Sequence, residues 1–170
     1  MPILLNRMLF PEQQGEIVVH GERVRVLPDQ IIVWVSLSRR SLTEANPATD
    51  PFPAILDTGH NHSFAITTRH LIEWADLNPD ELATRGAVRD RGQRIELRQA
   101  NIWVHPNESG KREEFALSGP FRLKAKQGIA VYPEGDFPRL PILGLRAIAE
   151  NGLVLKVDGC LLYTSDAADE

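Results

Sequence analysis

Cysteine is nearly missing from this chain of 170 residues: the single copy is Cys160. It opens a C-terminal stretch, Cys160–Glu170, that is similar to the in-frame translation of a transposase sequencing adapter and is set aside as a non-native tail. No thiol then remains, which excludes a disulfide framework and thiolate chemistry and fits a reducing, cytoplasmic setting. An excess of one charge is missing too. The tail holds three acids (Asp166, Asp169, Glu170) and no base, so without it 23 acidic residues fall to 20 against 19 basic ones, a net charge of −1 in place of −4. A balance so near zero gives no electrostatic handle for nucleic acid. No apolar run approaches the ~20 residues of a membrane helix, and the segment Pro2–Phe10 lacks a signal-peptide cleavage site. Repeats and low-complexity tracts are lacking as well. The chain up to Gly159 therefore reads as one domain with one core.

What is present is a series of short β signals. Glu22–Leu27 alternates polar and apolar like a half-buried strand, and Ile31–Leu37 is dense in β-branched and aromatic residues like a central one. Asn46-Pro47 closes a polar loop. Pro53–Leu56 is a short apolar run, and Ser63–Ile66 is another. Thr67 or Thr68 caps a predicted helix with Leu71, Ile72, Trp74 and Ala75 on one face and Asn78-Pro79 as its stop. Gly86–His105 reads as a long hairpin turning at Asp90-Arg91-Gly92, with a phase change before Ile102 that signals a bulge or bend. Asn107–Gly110 is a turn, and strands are expected near Glu114–Leu123, Gly128–Tyr132 and Leu153–Val157, with a short helix over Leu145–Glu150. Asp158-Gly159 is a hairpin signal with no second strand after it, so the native chain is expected to be truncated there. Roughly eight strands and two helices predict an all-β domain, closed or sandwich-like, over residues 31–159, preceded by an arm or strand over residues 1–30.

The residues with chemistry converge on one turn. Asp57 ends an apolar strand, Thr58 offers a hydroxyl to hold the turn, and Gly59 lets backbone N–H groups approach the carboxylate. Activating water against a peptide bond takes one carboxylate as base and a second as acid, and two carboxylates ~3 Å apart share a proton and titrate as a pair. The chain holds a single Asp-Thr-Gly, so the second must come from another copy across a two-fold axis.

Ile55-Leu56-Asp57-Thr58-Gly59, followed by a strand and much later by Ile142-Leu143-Gly144 opening a helix, resembles the retropepsin-like aspartic proteases. The resemblance spans roughly Ile31 to Val157 and implies a closed β domain with one or two short helices, active as a homodimer on peptide or protein substrates, with no cofactor or metal. It implies that Asp57, Thr58 and Gly59 form the catalytic loop, that Ile142, Leu143 and Gly144 brace it, and that the hairpin Gly86–Leu97 is the flap over the substrate. His60, Arg89, Arg91 and Gly92 are then expected at the substrate. Two features depart from the family pattern: His60 stands where Ala or Ser is usual, and the flap is Arg-rich (Arg85, Arg89, Arg91, Arg94), which favours an acidic group in the substrate.

Two other readings compete. His60, His62 and His70 offer three imidazoles for a metal, but no spacing brings His70 to the pair, so no metal site is expected. A module that keeps the fold and binds peptide without cleaving it is the alternative to the enzyme. Trp34, Trp74 and Trp103 sit on apolar-patterned elements and read as core.

Overall fold

The computed structural model describes residues 11–45, 49–105, 120–133, 135 and 137–155. Pro2–Phe10, Asn46-Pro47, the Asn107–Gly110 turn, the start of the strand expected from Glu114, the Asp158-Gly159 turn and the tail Cys160–Glu170 lie outside the described residues. Among the described residues eleven strands follow one another: β1 (Gly15–Val19), β2 (Glu22–Val26), β3 (Ile32–Arg39), β4 (Phe52–Asp57), β5 (Phe64–Thr67), β6 (Thr84–Asp90), β7 (Gln93–Arg98), β8 (Ala100–His105), β9 (Phe121–Lys124), β10 (Ile129–Tyr132) and β11 (Ile142–Gly144). Two short helices, α1 (Thr68–Glu73) after β5 and α2 (Leu145–Glu150) after β11, complete an all-β fold.

Nine strands form one sheet in the order β6-β7-β10-β5-β11-β4-β3-β8-β9, and β1 and β2 form a separate hairpin. Among the described residues the sheet ends in β6 on one side and β9 on the other. β4 lies near its middle, antiparallel to β3 and parallel to β11. A strand paired on both edges and covered on both faces must be apolar throughout, which is why Phe52–Leu56 shows no alternation. Pro53 is opposite Trp34, ahead of the Ile55–Asp57 stretch that β11 covers, so its missing N–H falls outside that parallel ladder.

Alternation along β5, β10 and β11 divides the apolar residues between two cores. Phe64, Ile66, Ile129, Val131 and Leu143 join the main core with Val33, Val35, Leu37, Leu71 and Trp74. On the other face Ala65, Ala130, Tyr132 and Ile142 meet Ile95 and Leu97 of the β6–β7 hairpin, with Val88 and Phe137 packed against them. Small residues at 65 and 130 leave room for the hairpin to fold onto this face. Residues 15–26 do not hang free as an arm. Val19 and Val24 enter the main core, Glu22 pairs with Arg69 at 2.5 Å, and Arg139 donates to the carbonyl of Arg25.

Four local expectations change. The Gly86–His105 hairpin is two different objects, because after Gln99 the chain leaves β7, in the β6/β10 ladder, for β8, in the β3/β9 ladder. The phase change before Ile102 marks this exchange of partners rather than a bulge in one long arm. In α1 the cap is Thr67, whose hydroxyl accepts from the His70 N–H, but the helix ends at Glu73, and Asp76 enters the left-handed region at φ 52. Ile72 consequently faces solvent, while His70, Leu71, Trp74 and Ala75 point inward. Leu153–Leu155 carries no strand, since the N–H of Leu153 caps α2 by donating to Ile148. Of the tryptophans, Trp74 and Trp103 are buried and Trp34 is half-buried. Among the described residues no helix is long and apolar enough to cross a membrane.

His70 provides a stability probe. Its ring stacks on Trp74 at 3.9 Å, and burial, then the Arg69 charge, push its pKa down from 6.5 to about 4. The unfolded chain binds that proton more readily than the folded one. The neutral ring therefore stabilises the fold fully above pH 6.5, and this contribution is lost as pH falls from there towards 4. The loss is on the order of 2 kcal/mol once solvent near the ring is allowed for. In His70→Phe, chemical denaturation from pH 7 to 4 should show a flatter acid limb; an unchanged slope would exclude His70 as its source.

Candidate active site

β4 delivers Asp57 to the edge of the sheet, and the chain turns there at once. The N–H of Gly59 donates to Asp57 Oδ1 at 2.8 Å, and the N–H of His60 points at the Asp57 carbonyl at 3.4 Å. The carboxylate is half-buried, while Thr58 and Gly59 at the crest are exposed. One N–H held in place and an open crest leave the second carboxylate oxygen for another group.

Beneath this turn lies the second motif. Ile142, Leu143 and Gly144 run in parallel register with Ile55, Leu56 and Asp57, so the segments opposed in space are the two that stood out in the sequence. Leu143 is buried in the main core and Ile142 in the smaller one, which fixes the strand from both faces. The loop leaving Asp57 then crosses over Gly144, whose N–H donates to the Ser63 carbonyl at 3.1 Å. A Cβ at position 144 would stand 2.0 Å from the His62 carbonyl oxygen and 3.1 Å from that of His60. Only glycine allows that crossing. α2, which starts at once after Gly144, is tied down by Asn151, whose amide bonds both Lys124 backbone groups at 2.9 and 3.0 Å.

The β6–β7 hairpin reaches the same place from the other side. Asp90 pairs with Gln93 across Arg91 and Gly92, both at positive φ (48 and 81), the two-residue turn that matches strand twist. Glycine adopts this conformation freely, but for arginine it costs about 1–2 kcal/mol. At the tip the Arg91 guanidinium lies 3.9 Å above the Phe137 ring. Tyr132 packs edge-on to Phe137 at 5.3 Å and donates its hydroxyl to Asp90 Oδ2 at 2.6 Å. Burial first, and this bond second, push the Tyr132 hydroxyl above its usual range.

His60 and His62 stand in the loop that follows Asp57. Their rings are edge to face at 5.4 Å, and His60 Nε2 is enclosed without a hydrogen-bond partner. Burial holds the His60 pKa below its usual value and the His62 charge adds to this; the Asp57 and Asp90 carboxylates oppose it, and Arg91 reinforces it. His62 is lowered chiefly by burial, opposed by Asp90 and reinforced by Arg146.

The structure thus brings Asp57, His60 and Arg91 near one another, with the His60 carbonyl over Gly144; Gly92 follows Arg91 at the exposed hairpin turn. Arg89 does not join them. On β6, Gly86, Val88 and Asp90 turn inward, whereas Arg85, Ala87 and Arg89 are exposed on the other face, where Arg89 stands opposite Arg94. His70, stacked on Trp74 in α1, is engaged away from the His60–His62 pair. Asp90, Tyr132, Phe137 and Arg146 were not singled out from the sequence. A turn aspartate beside a hairpin arginine gives no warning that a tyrosine from β10 will reach it. No known family profile matches the chain, and no curated protein matches it either.

Proposed function

We propose that the chain is an aspartic endopeptidase of the retropepsin-like type, working as a homodimer in which Asp57 of each copy holds a shared water. The observation that carries this reading is the crossing of the Asp57 loop over Gly144, in register with Ile142-Leu143. It presents one hydrogen-bonded carboxylate at an exposed crest, where the carboxylate of a second copy can meet it. One carboxylate acts as base on the water while its partner, protonated, donates to the carbonyl oxygen of the peptide. Thr58 locks the two loops across the dyad and Gly59 holds Asp57 through its N–H. The hairpin over residues 86–97 covers an extended peptide, pairing main chain with main chain, and Arg91 is its cationic contact. No cofactor enters this chemistry, and the setting is cytoplasmic.

The test is hydrolysis of a broad peptide library across a dilution series of the protein. A two-fold site requires the rate per chain to fall once the protein is diluted below its dimer constant. Peptide capture without cleavage by a folded, dimeric protein would replace this reading with the non-catalytic module.

A further inference from the structure

Among the described residues β6 ends its side of the nine-stranded sheet, and it is held firmly in place. Its partner β7 pairs with β10 as well, and Ile95 and Leu97 of β7 are buried in the smaller core. Asp90 and Gln93 close the two-residue turn as a hydrogen-bonded pair, so Val88 and Ile95 form the next one. The backbone groups of Ala87 and Arg89 therefore point away from β7, and among the described residues nothing bonds them. The opposite edge differs: at β9 the Asn151 amide occupies both backbone groups of Lys124.

The open edge is also cationic. Arg89 stands directly opposite Arg94, both exposed, and Arg85 is exposed on the same strand. Like charges opposed across a ladder destabilise it. Glu96, the next residue on this face of β7, does not relieve them, because Arg98 takes its carboxylate. Among the described residues no carboxylate pairs with Arg85, Arg89 or Arg94.

We propose that the open edge of β6 takes an extended acidic segment of a partner protein as an added strand. The main chain of that segment pairs with Ala87 and Arg89, and its carboxylates meet Arg85 and Arg89, with the Arg94 charge behind them. Alternate residues of a strand share a face, so acids at every second position reach the arginines together. Charge on an edge strand also turns wrong partners away. The β6 edge of a second copy would set arginine against arginine, whereas an acidic strand is attracted. Nucleic acid fits less well, since its phosphates offer no strand-like row of donors and acceptors to Ala87 and Arg89. The arginines lie on the face opposite Asp90, whose carboxylate is turned to Tyr132. This docking therefore lies outside the hydrolase reading and does not depend on it.

The experiment is fluorescence anisotropy of a short labelled peptide alternating Glu and Val, titrated with the full chain and compared with Gln-Val and Lys-Val versions. Asp57→Asn is titrated beside wild type, so that cleavage does not enter the readout. The Glu peptide should bind about tenfold more tightly than the Gln peptide, and the Lys peptide should not bind. Arg94→Glu separates binding from folding. Opposite Arg89 it forms an attractive pair, so exchange protection of the hairpin should rise while affinity for the Glu peptide falls about tenfold. In the complex, amide exchange should slow at Ala87 and Arg89 and stay unchanged at Val88 and Asp90, which already bond β7. Equal affinity for the Glu and Gln peptides would overturn the proposal, as would undiminished binding to Arg94→Glu or binding that leaves exchange at Ala87 and Arg89 unslowed. Single-stranded DNA that binds as tightly as the Glu peptide would overturn it too, because the arginines would then serve phosphates in general.

Discussion

Gly144→Ala is expected to lower stability by about 3 kcal/mol or more, a fall in Tm of roughly 6–12 °C for a domain of this size. The residue has φ −84 and ψ 156, ordinary extended values, so alanine meets no conformational penalty there. Its cost is purely one of space. The added carbon would stand 2.0 Å from the His62 carbonyl oxygen, and backbone in a paired segment cannot swing aside as a side chain does. Either β11 must leave β4 or the loop after Asp57 must lift, and both undo the packing of Leu143 and Ala147 in the main core. Gly59→Ala is the matched control in the same loop, because its Cβ would meet only Asp57 Oδ1 at 3.4 Å, an ordinary contact. That variant should unfold within about 0.5 kcal/mol of wild type. Thermal and denaturant melts of the two variants decide the matter; equal stability would mean that the loop does not cross Gly144.

This contrast marks what could be read in advance. The strands announced themselves where composition and period agreed, as at Ile32–Leu37 and Arg94–Leu97, and α2 over Leu145–Glu150 followed from the glycine before it and Asn151-Gly152 after it. The two motifs of the candidate site were visible as short apolar runs ending in Asp57 and Gly144. Their parallel registration is a long-range fact that neither run contains. Sequence could also not show the steric part of each glycine: Gly59 was read as letting backbone N–H groups approach Asp57 and Gly144 as part of the brace, whereas room for a Cβ is lacking only at Gly144 of the two. The exchange of partners at Gln99 was legible only as a disturbed period, because β7 and β8 are each well-formed strands and only their different neighbours separate them. The site residues that escaped notice share a cause. Asp90, Tyr132 and Phe137 come from a strand end, a buried strand and a loop, and meet only when the hairpin folds onto the small residues Ala65 and Ala130.

Asp57→Asn is expected to abolish peptide hydrolysis, with a loss of at least about 10³-fold, while leaving the fold within about 0.5 kcal/mol of wild type. The substitution conserves shape: asparagine keeps an Oδ1 to accept the Gly59 N–H at 2.8 Å, and the side chain stands at a half-open crest rather than in the core. What it removes is the group that takes a proton from water, and in a two-fold site it removes both copies at once. That symmetry allows a sharper measurement than the loss alone. Adding an equal amount of the variant to a fixed amount of wild type, and letting subunits exchange, distributes wild-type chains at random between active and mixed dimers. If both carboxylates are required, the rate falls to about half, because half of the wild-type chains are then paired with an inert partner. If a single chain carries a complete site, with Asp57 served by a second acid from its own fold, the rate does not change. The titration thus separates a shared dyad from a self-contained one, and it does so with a variant whose folding can be verified independently by the same melts used for Gly144.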